Sequence, residues 1–132
     1  MKKELNVVGA IIIKDGKILC AQRGESKALP NMWEFPGGKI ELDETPREAL
    51  KRELIEELDI KVSVEKTPFD KTTHEYDFGI VHLTTFICEL IDGEPQLTEH
   101  IAVKWLEPLE LKALEWAPAD IPAVERLEKI TF

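Results

Sequence analysis

The glutamates between positions 53 and 57 are the residues of this sequence best suited to chemistry. Glu53, Glu56 and Glu57 are spaced i, i+3 and i+4, so on a helix their side chains fall within an arc of roughly 100°. Three carboxylates this close repel one another and require a positive partner. Their oxygens suit hard cations, and Mg²⁺ prefers a few carboxylates together with waters and substrate phosphates. Taken alone, the spacing also fits a solvated acidic face paired with neighbouring basic residues.

The loop in front of these glutamates favours a ligand site over a solvated face. Gly37 and Gly38 allow the backbone to approach a ligand closely. Glu44 adds a fourth carboxylate, and Arg52 lies beside Glu53, where a guanidinium can orient a carboxylate. We therefore count Glu44 and Arg52 with the three glutamates as catalytic candidates.

This pattern resembles the Nudix box of the Nudix hydrolases. The similarity runs from Gly38 through Glu44 to the segment 52–60, and every charged position of the box is occupied. One departure is Asp59, where the family pattern has glycine. Aspartate adopts the left-handed conformation at less cost than most residues, so the departure concerns the loop after the helix rather than the metal site.

The resemblance extends over nearly the whole chain and is greatest for the small MutT-like nucleoside triphosphate pyrophosphohydrolases. The supporting stretches are 21–23, 33–41 and 118–122. The similarity implies an α/β fold, a Nudix-type α/β/α sandwich with a mixed β-sheet between the Nudix helix and a C-terminal helix. Residues 1–132 are then expected to form a single Nudix hydrolase domain.

By the same resemblance, metal binding is assigned to Glu53, Glu56 and Glu57 together with the Gly37 carbonyl. The implied cofactor is Mg²⁺, with Mn²⁺ as a substitute. Glu99 is implied as a further metal ligand or as the general base, and an ordinary loop carboxylate is its alternative. The choice of base between Glu53 and Glu99 stays open.

The resemblance also assigns residues to the phosphates. Arg52 would orient a metal-binding glutamate from behind, so its removal should loosen the metal site. Arg23 resembles the family's phosphate-contacting arginine, with a surface ion pair as the alternative. Lys39 could also screen phosphate charge.

Asp120 is the position most informative about the base of the substrate. In similar MutT proteins that clear 8-oxo-dGTP, an asparagine at this place reads the oxidised purine. An ionised aspartate can only accept hydrogen bonds, which suits the cytosine amine, and the segment 118–122 looks like the related CTP pyrophosphohydrolase branch. A buried, protonated aspartate would instead imitate asparagine. The third role open to Asp120 is that of helix N-cap.

Aromatic and histidine residues are weaker candidates. Phe35 and Phe78 lie close to loops that could frame a base, although core packing is the more common role of such residues. His74, His82 and His100 share no ligand spacing, so we expect them to be structural or surface residues.

The implied reaction is the Mg²⁺-dependent conversion of a nucleoside or deoxynucleoside triphosphate and water to the monophosphate and diphosphate. Nucleotide-pool sanitation is the expected role, with 8-oxo-dGTP or a cytidine-type triphosphate such as CTP or 5-methyl-dCTP as substrate. A Nudix hydrolase of ADP-ribose or dinucleoside polyphosphates is the alternative, disfavoured by the short chain. A non-catalytic nucleotide-binding module is disfavoured because all the box glutamates are present.

Composition sets limits on these functions. The chain has 132 residues and a net charge of −9, which argues against binding duplex nucleic acid through many phosphates. Since no apolar run approaches the ~20 residues of a membrane span, we expect a cytoplasmic protein without a membrane partner. We expect a monomer or a homodimer. Cys20 and Cys88 have no metal-ligand spacing and are predicted to be reduced thiols in the core.

The element that must carry the glutamates is strongly signalled. Thr45 and Glu48 form a capping box with Pro46 at the first helical position, and leucines follow at 50, 54 and 58. This pattern predicts a helix over 46–58.

Hydrophobic patterning predicts five or six strands around that helix. Segments 5–13 and 18–23 form a hairpin about Asp15 and Gly16. Further strands are predicted at 33–35, 60–64, 80–90 and 101–106, with irregular structure at 66–78. A short helical turn is expected near 109–114 and a last helix after Asp120.

Overall fold

The structure is a computed structural model that describes residues 2–130. It confirms the predicted α/β/α sandwich, with a mixed sheet between helices. The strands are β1 (Glu4–Lys14), β2 (Lys17–Arg23), β3 (Trp33–Glu34), β4 (Gly37–Lys39), β5 (Lys61–Val64), β6 (Asp70–Tyr76), β7 (Gly79–Asp92) and β8 (His100–Leu106). The helices are α1 (Pro46–Leu58) and α2 (Ile121–Leu127), with 3₁₀ helices at Pro108–Ala113 and Pro118–Asp120.

Strands β1 and β7 form the centre of the sheet. They run parallel over ten register positions, from Glu4 beside Ile80 to Ile13 beside Glu89. Strand β7 also pairs antiparallel with β6 along its first half and with β5 along its second half. The long apolar runs of both central strands suit a sheet that is covered on both faces.

Strands β1 and β2 separate soon after the hairpin that joins them. They pair only at Ile13 with Ile18 and at Lys14 with Lys17. Farther along, β1 pairs with β4, whereas β2 pairs with β3 and β8. The chain therefore crosses from one half of the sheet to the other between β3 and β4, and this divergence opens the space for a site.

Helix α1 begins and ends as predicted. The Thr45 hydroxyl accepts the Glu48 N–H at 3.1 Å, and the Glu48 carboxylate accepts the Thr45 N–H at 2.9 Å, completing the capping box. Asp59 ends the helix in the left-handed conformation, with φ 55° and ψ 43°. Its backbone conformation is thus the one that glycine would supply at this place.

Of the three hydrophobic clusters among the described residues, the two larger lie on opposite faces of the sheet, because neighbouring residues of β1 point to opposite sides. Ile12 packs with the buried leucines of α1, including Leu54. Ile11 packs with Trp33 and with Leu127 of α2. Cys20 and Cys88 are buried and unpaired, as predicted.

Two predictions about the strands are wrong. The segment 66–78 is not irregular, since β6 pairs with β7 over seven positions. Along β6, exposed residues alternate with half-buried ones, and most of both kinds are polar. The strand therefore lacks the alternation of apolar and polar residues that would predict it from the sequence. The segment after β3 is also not a loop, because Gly37–Lys39 pairs with β1. The sheet therefore has eight strands instead of five or six.

Between residues 2 and 130, no helix combines the length and the apolar character needed to cross a bilayer.

Candidate active site

A cleft of about 530 Å³ opens where β1 and β2 diverge. Its wall includes most of the residues singled out in the sequence. These are Arg23, Phe35, Gly37, Lys39, Glu53, Glu56, Glu57, Phe78, Glu99 and Asp120. Arg52 and Glu44 do not line the cleft, and they lie behind the glutamates. The fold therefore gathers residues that are up to about a hundred positions apart around one space.

Arg52 organises one side of the glutamate cluster. Its Nε and Nη2 donate to the two Glu44 oxygens at 2.7 and 3.0 Å, a bidentate pair. Its Nη1 donates to Glu53 at 2.9 Å and to Glu56 at 3.1 Å, and Nη2 also donates to the Lys39 carbonyl at 3.0 Å. The guanidinium lowers the pKa of the Glu44 carboxyl below its usual value. Glu44 thus anchors Arg52 instead of facing the cleft.

The two glycines of β4 leave room that a side chain would fill. A Cβ at Gly38 would overlap the Glu53 carboxylate, and a Cβ at Gly37 would overlap the Val8 carbonyl. Glycine is needed here because of close approach, since neither residue has a positive φ. The Glu53 carboxylate therefore lies directly over the β4 backbone.

Glu57 is the buried member of the glutamate cluster. Its side chain is 8% exposed, and its Oε1 has no hydrogen-bond partner. Burial, followed by the nearby Glu53 carboxylate, raises the pKa of Glu57 to about 9. A cation beside Oε1 would satisfy this oxygen and stabilise its charged form.

Arg23, Glu34 and His100 connect the cleft wall to Glu57. The Arg23 Nη1 donates to Glu34 Oε1 at 2.8 Å, and His100 Nε2 lies 2.8 Å from Glu34 Oε2. His100 Nδ1 is 3.8 Å from Glu57 Oε2. Glu34 lies within the stretch 33–41 that supports the family resemblance, but the sequence singled out neither Glu34 nor His100 as a site residue. Their part in the site comes from the fold. Arg23 forms an ion pair, as its alternative reading predicts, but within the cleft.

The other two histidines behave as predicted. His82 contacts Thr73 and Glu4 on the outer surface of the sheet. His74 packs against the ring of Tyr76, with centroids 4.5 Å apart. Neither residue lines the cleft.

Asp120 lies in the cleft and occupies the N-cap position of α2, as predicted. It adopts right-handed helical angles, however, and its side chain makes no capping hydrogen bond, so the capping role itself is not seen. Its Oδ1 instead accepts the Phe35 N–H at 3.3 Å, across the sheet. Burial, and then the nearby Glu34 carboxylate, raise the pKa of Asp120 well above its ordinary value.

Aromatic side chains form a second part of the cleft wall. Phe78 is 46% exposed and stacks on Tyr76, with centroids 5.0 Å apart and planes inclined by 10°. The Tyr76 hydroxyl accepts the Ala119 N–H at 2.8 Å, which ties the stack to the residue before Asp120. Phe35 is 4% exposed and packs against Trp116. Tyr76 was missed in the sequence because its strand is mostly polar.

The remaining candidates lie at the mouth of the cleft. Glu99 is half-exposed and lies 3.8 Å from the Lys27 ammonium. Lys39 is exposed on β4. Both residues line the cleft.

The family profile described as "NUDIX domain" matches residues 7–126. The chain belongs to the Nudix family. Its fold and its occupied Nudix box agree with that membership, and it is a Nudix hydrolase that acts on phosphoanhydride bonds.

Relatives and solved structures of Nudix proteins cover nearly the whole chain. The CTP pyrophosphohydrolase of Escherichia coli (strain K12) is 42% identical over 125 residues, 93% of this chain and 90% of that protein. The 8-oxo-dGTP diphosphatase of the same strain is 33% identical, covering 98% of this chain and 100% of its own length. The solution NMR structure of the DNA mismatch repair protein MutT from methicillin-resistant Staphylococcus aureus 252 is 56% identical, with a TM-score of 0.79 and 98% coverage of each chain.

The Nudix-box donors of this chain fit a hard divalent cation. Within residues 2–130, no three Asp, Glu, His or Cys side chains are already gathered as metal ligands. Arg52 binds both Glu53 and Glu56 through Nη1, and its positive charge offsets the repulsion between these two carboxylates. The fit rests instead on the buried, unpartnered Glu57 Oε1 and on the oxygen-only donor set.

Proposed function

We propose that this Nudix hydrolase is a MutT-like pyrophosphohydrolase acting on a free nucleoside or deoxynucleoside triphosphate, with the monophosphate and diphosphate as products. The observation that carries the proposal is the composition of one cleft. Carboxylates of α1 form one part of its wall, and the Tyr76 and Phe78 stack with Asp120 forms another. A nucleotide has the same two parts, a phosphate chain that needs cations and a flat base.

Mg²⁺ is the proposed cofactor, and Mn²⁺ is expected to replace it. Glu53, Glu56, Glu57 and the Gly37 carbonyl would hold it, with Glu99 as a further ligand. When bound, the metal neutralises phosphate oxygens and lowers the pKa of the attacking water.

The protein's own side chains would position the reactants. Arg23 and Lys39 contact the phosphate oxygens, because both line the cleft and carry positive charge. A carboxylate, Glu53 or Glu99, accepts the proton of the attacking water. Arg52 holds Glu53 in place through its pair with Glu44.

Asp120 is proposed to read the base. Since burial favours its neutral form, the carboxyl group can donate one hydrogen bond and accept another, like an asparagine side chain. 8-Oxoguanine and cytosine both present a donor beside an acceptor, so both proposed classes of triphosphate fit this pattern. Phe78 is exposed enough to stack on the base.

The test is a product-resolved turnover panel with Mg²⁺. It compares 8-oxo-dGTP, dGTP, CTP, dCTP, 5-methyl-dCTP, ATP, ADP-ribose and diadenosine polyphosphates. We expect diphosphate and a monophosphate from 8-oxo-dGTP or from a cytidine-type triphosphate. His82→Asn is the matched control, because His82 lies outside the cleft.

Two outcomes would contradict the proposal. Cleavage of ADP-ribose or diadenosine polyphosphates without turnover of any triphosphate would overturn the MutT-like assignment. Binding of nucleotides with no turnover would favour the non-catalytic module.

A further inference from the structure

His100 lies between a glutamate of the metal site and the arginine at the phosphates. Its side chain is 3% exposed at the start of β8. Nε2 is 2.8 Å from Glu34 Oε2, and Nδ1 is 3.8 Å from Glu57 Oε2. A buried imidazole between two carboxylates from different elements is an arrangement that core packing alone does not require.

The Glu34 side fixes the orientation of the ring. Both Glu34 oxygens are used, one by the Arg23 guanidinium and the other by His100. Because a carboxylate paired with arginine only accepts hydrogen bonds, Nε2 must carry a hydrogen. The imidazole is therefore held with Nδ1 toward Glu57.

The hydrogen bonding between His100 and Glu57 is incomplete. Three buried side-chain atoms of the described residues have no hydrogen-bond partner, and two of them are His100 Nδ1 and Glu57 Oε1. Leaving such atoms unpaired is costly. A small rotation would bring Oε2 within hydrogen-bond distance of Nδ1, with one hydrogen shared between them, carried either by Nδ1 or by Oε2. It would leave Oε1 as the one oxygen without a protein partner.

We infer that His100 is a positioning residue for Glu57, holding Oε2 so that Oε1 is presented to the divalent cation. The same ring connects the metal carboxylate through Glu34 to Arg23. This inference rests on the proposed function, in which Glu57 is a metal ligand. Residues that orient a ligand in this way typically change metal affinity when they are removed.

Two substitutions at His100 test the roles of the two ring nitrogens separately. The amide nitrogen of asparagine falls near the place of Nδ1, and that of glutamine falls near the place of Nε2. His100→Asn therefore keeps a polar group that can hydrogen-bond with Glu57 and loses the Glu34 contact, whereas His100→Gln does the opposite. His82→Asn and His82→Gln, on the outer surface, are the matched controls.

The primary measurement is Mn²⁺ binding to the protein without nucleotide, by electron paramagnetic resonance. We expect His100→Gln to weaken Mn²⁺ binding roughly 10- to 100-fold. His100→Asn should bind Mn²⁺ nearly as the wild type does. In steady-state assays at saturating nucleotide, His100→Gln should raise the Mg²⁺ concentration for half-maximal rate more than it lowers kcat.

The outcomes distinguish this inference from the function on which it rests. Wild-type binding of Mn²⁺ with no change in His100→Gln would overturn the role of His100 alone. Equal losses in both variants, matched by equal losses of thermal stability, would assign His100 to packing and also overturn it. Absence of Mn²⁺ binding in the wild type would overturn the metal site itself. Should His100→Asn fail to fold, the comparison of His100→Gln with wild type still decides.

Discussion

The two sides of the glutamate cluster differ in how completely their polar atoms are paired. On the outer side, Arg52 has bonds to Glu44, Glu53 and Glu56 from one guanidinium. On the inner side, Glu57 and His100 are buried, and each has an atom without a partner. Glu53, Glu56 and Glu57 all belong to the same turns of α1, so the difference between the two sides comes from what packs against each one.

The outer side of the site is already formed in the protein without a metal ion, whereas the inner side is not. On the outer side, one guanidinium gives each of the Glu44, Glu53 and Glu56 carboxylates a positively charged hydrogen-bond partner, so these carboxylates tolerate the absence of a cation. The inner side carries a carboxyl group whose pKa is raised to about 9 by burial first of all. A cation is therefore expected to change the inner side more than the outer side.

The largest effect is expected for Glu53→Gln, which removes charge on the outer side. We expect kcat to fall at least about 100-fold, because Glu53 is a proposed metal ligand and candidate base. The fold should survive, since its side chain is not part of either core cluster. Steady-state kinetics and circular dichroism check both points.

The control for this substitution is Glu125→Gln on the exposed face of α2. It should leave kcat unchanged. Near-normal turnover by Glu53→Gln would refute the assignment of Glu53.

The next largest effect is expected for Arg52→Lys, which tests whether the outer side depends on a planar, bidentate group. Arg52→Lys retains the charge but cannot bind both Glu44 oxygens while also reaching Glu53. We expect Mn²⁺ affinity to fall roughly 10-fold or more. Arg47→Lys is the control, because Arg47 lies on the same helix and donates to the Val64 carbonyl away from the cleft. An unchanged Mn²⁺ affinity in Arg52→Lys would show that charge alone suffices.

Metal addition should stabilise the protein through its inner side. At Mg²⁺ concentrations near 100 times Kd, the free energy of unfolding should rise by about 2.7 kcal/mol. Glu57→Gln imitates the neutral carboxyl group, so without metal its Tm near pH 7 should resemble that of the wild type. On addition of Mg²⁺, the Tm of Glu57→Gln should rise far less than that of the wild type. Thermal unfolding in EDTA and in Mg²⁺ measures the difference, and equal gains in the two proteins would exclude Glu57 as a ligand.

The smallest effect concerns Asp120, which lies at the base-binding part of the cleft. Its pKa is raised in the folded protein, so its contribution to stability is present at low pH and is lost as pH rises toward the folded pKa. The loss is at most about 1.4 kcal/mol per pH unit. Asp120→Asn should remove this dependence, and the stability difference between variant and wild type should therefore grow with pH.

Urea unfolding across pH 5–8 measures that difference. The same variant should mainly redistribute turnover among the triphosphates. A difference in stability that does not change with pH would show that Asp120 is ionised throughout this range.

Local sequence was enough to predict the helix and the outer side of the site. The capping box of Thr45 and Glu48 spans only three positions, and the spacing of Glu53, Glu56 and Glu57 puts them on one helical face by geometry alone. Arg52 is likewise within four positions of Glu53 and Glu56, whereas its contacts with Glu44 and with the Lys39 carbonyl reach farther along the chain. Interactions within a few residues depend on backbone periodicity, which the sequence determines directly.

The inner side of the site could not be predicted in the same way. His100 and Glu34 are 66 positions apart, and the carboxyl group of Asp120 meets the N–H of Phe35 across 85 positions. Strand β6 was missed as well, because its polar residues carry no apolar alternation and its pairing with β7 is a tertiary contact.

The sequence by itself thus determined the helix, its cap and the shared face of the three glutamates. The tertiary structure alone decided that Glu57 is buried, that His100 faces it, and that Asp120 lies in the cleft without capping α2. The physical reason is that burial and pairing depend on how strands far apart in the chain come together. The divergence of β1 and β2 places these residues around one space, and no local pattern encodes that divergence.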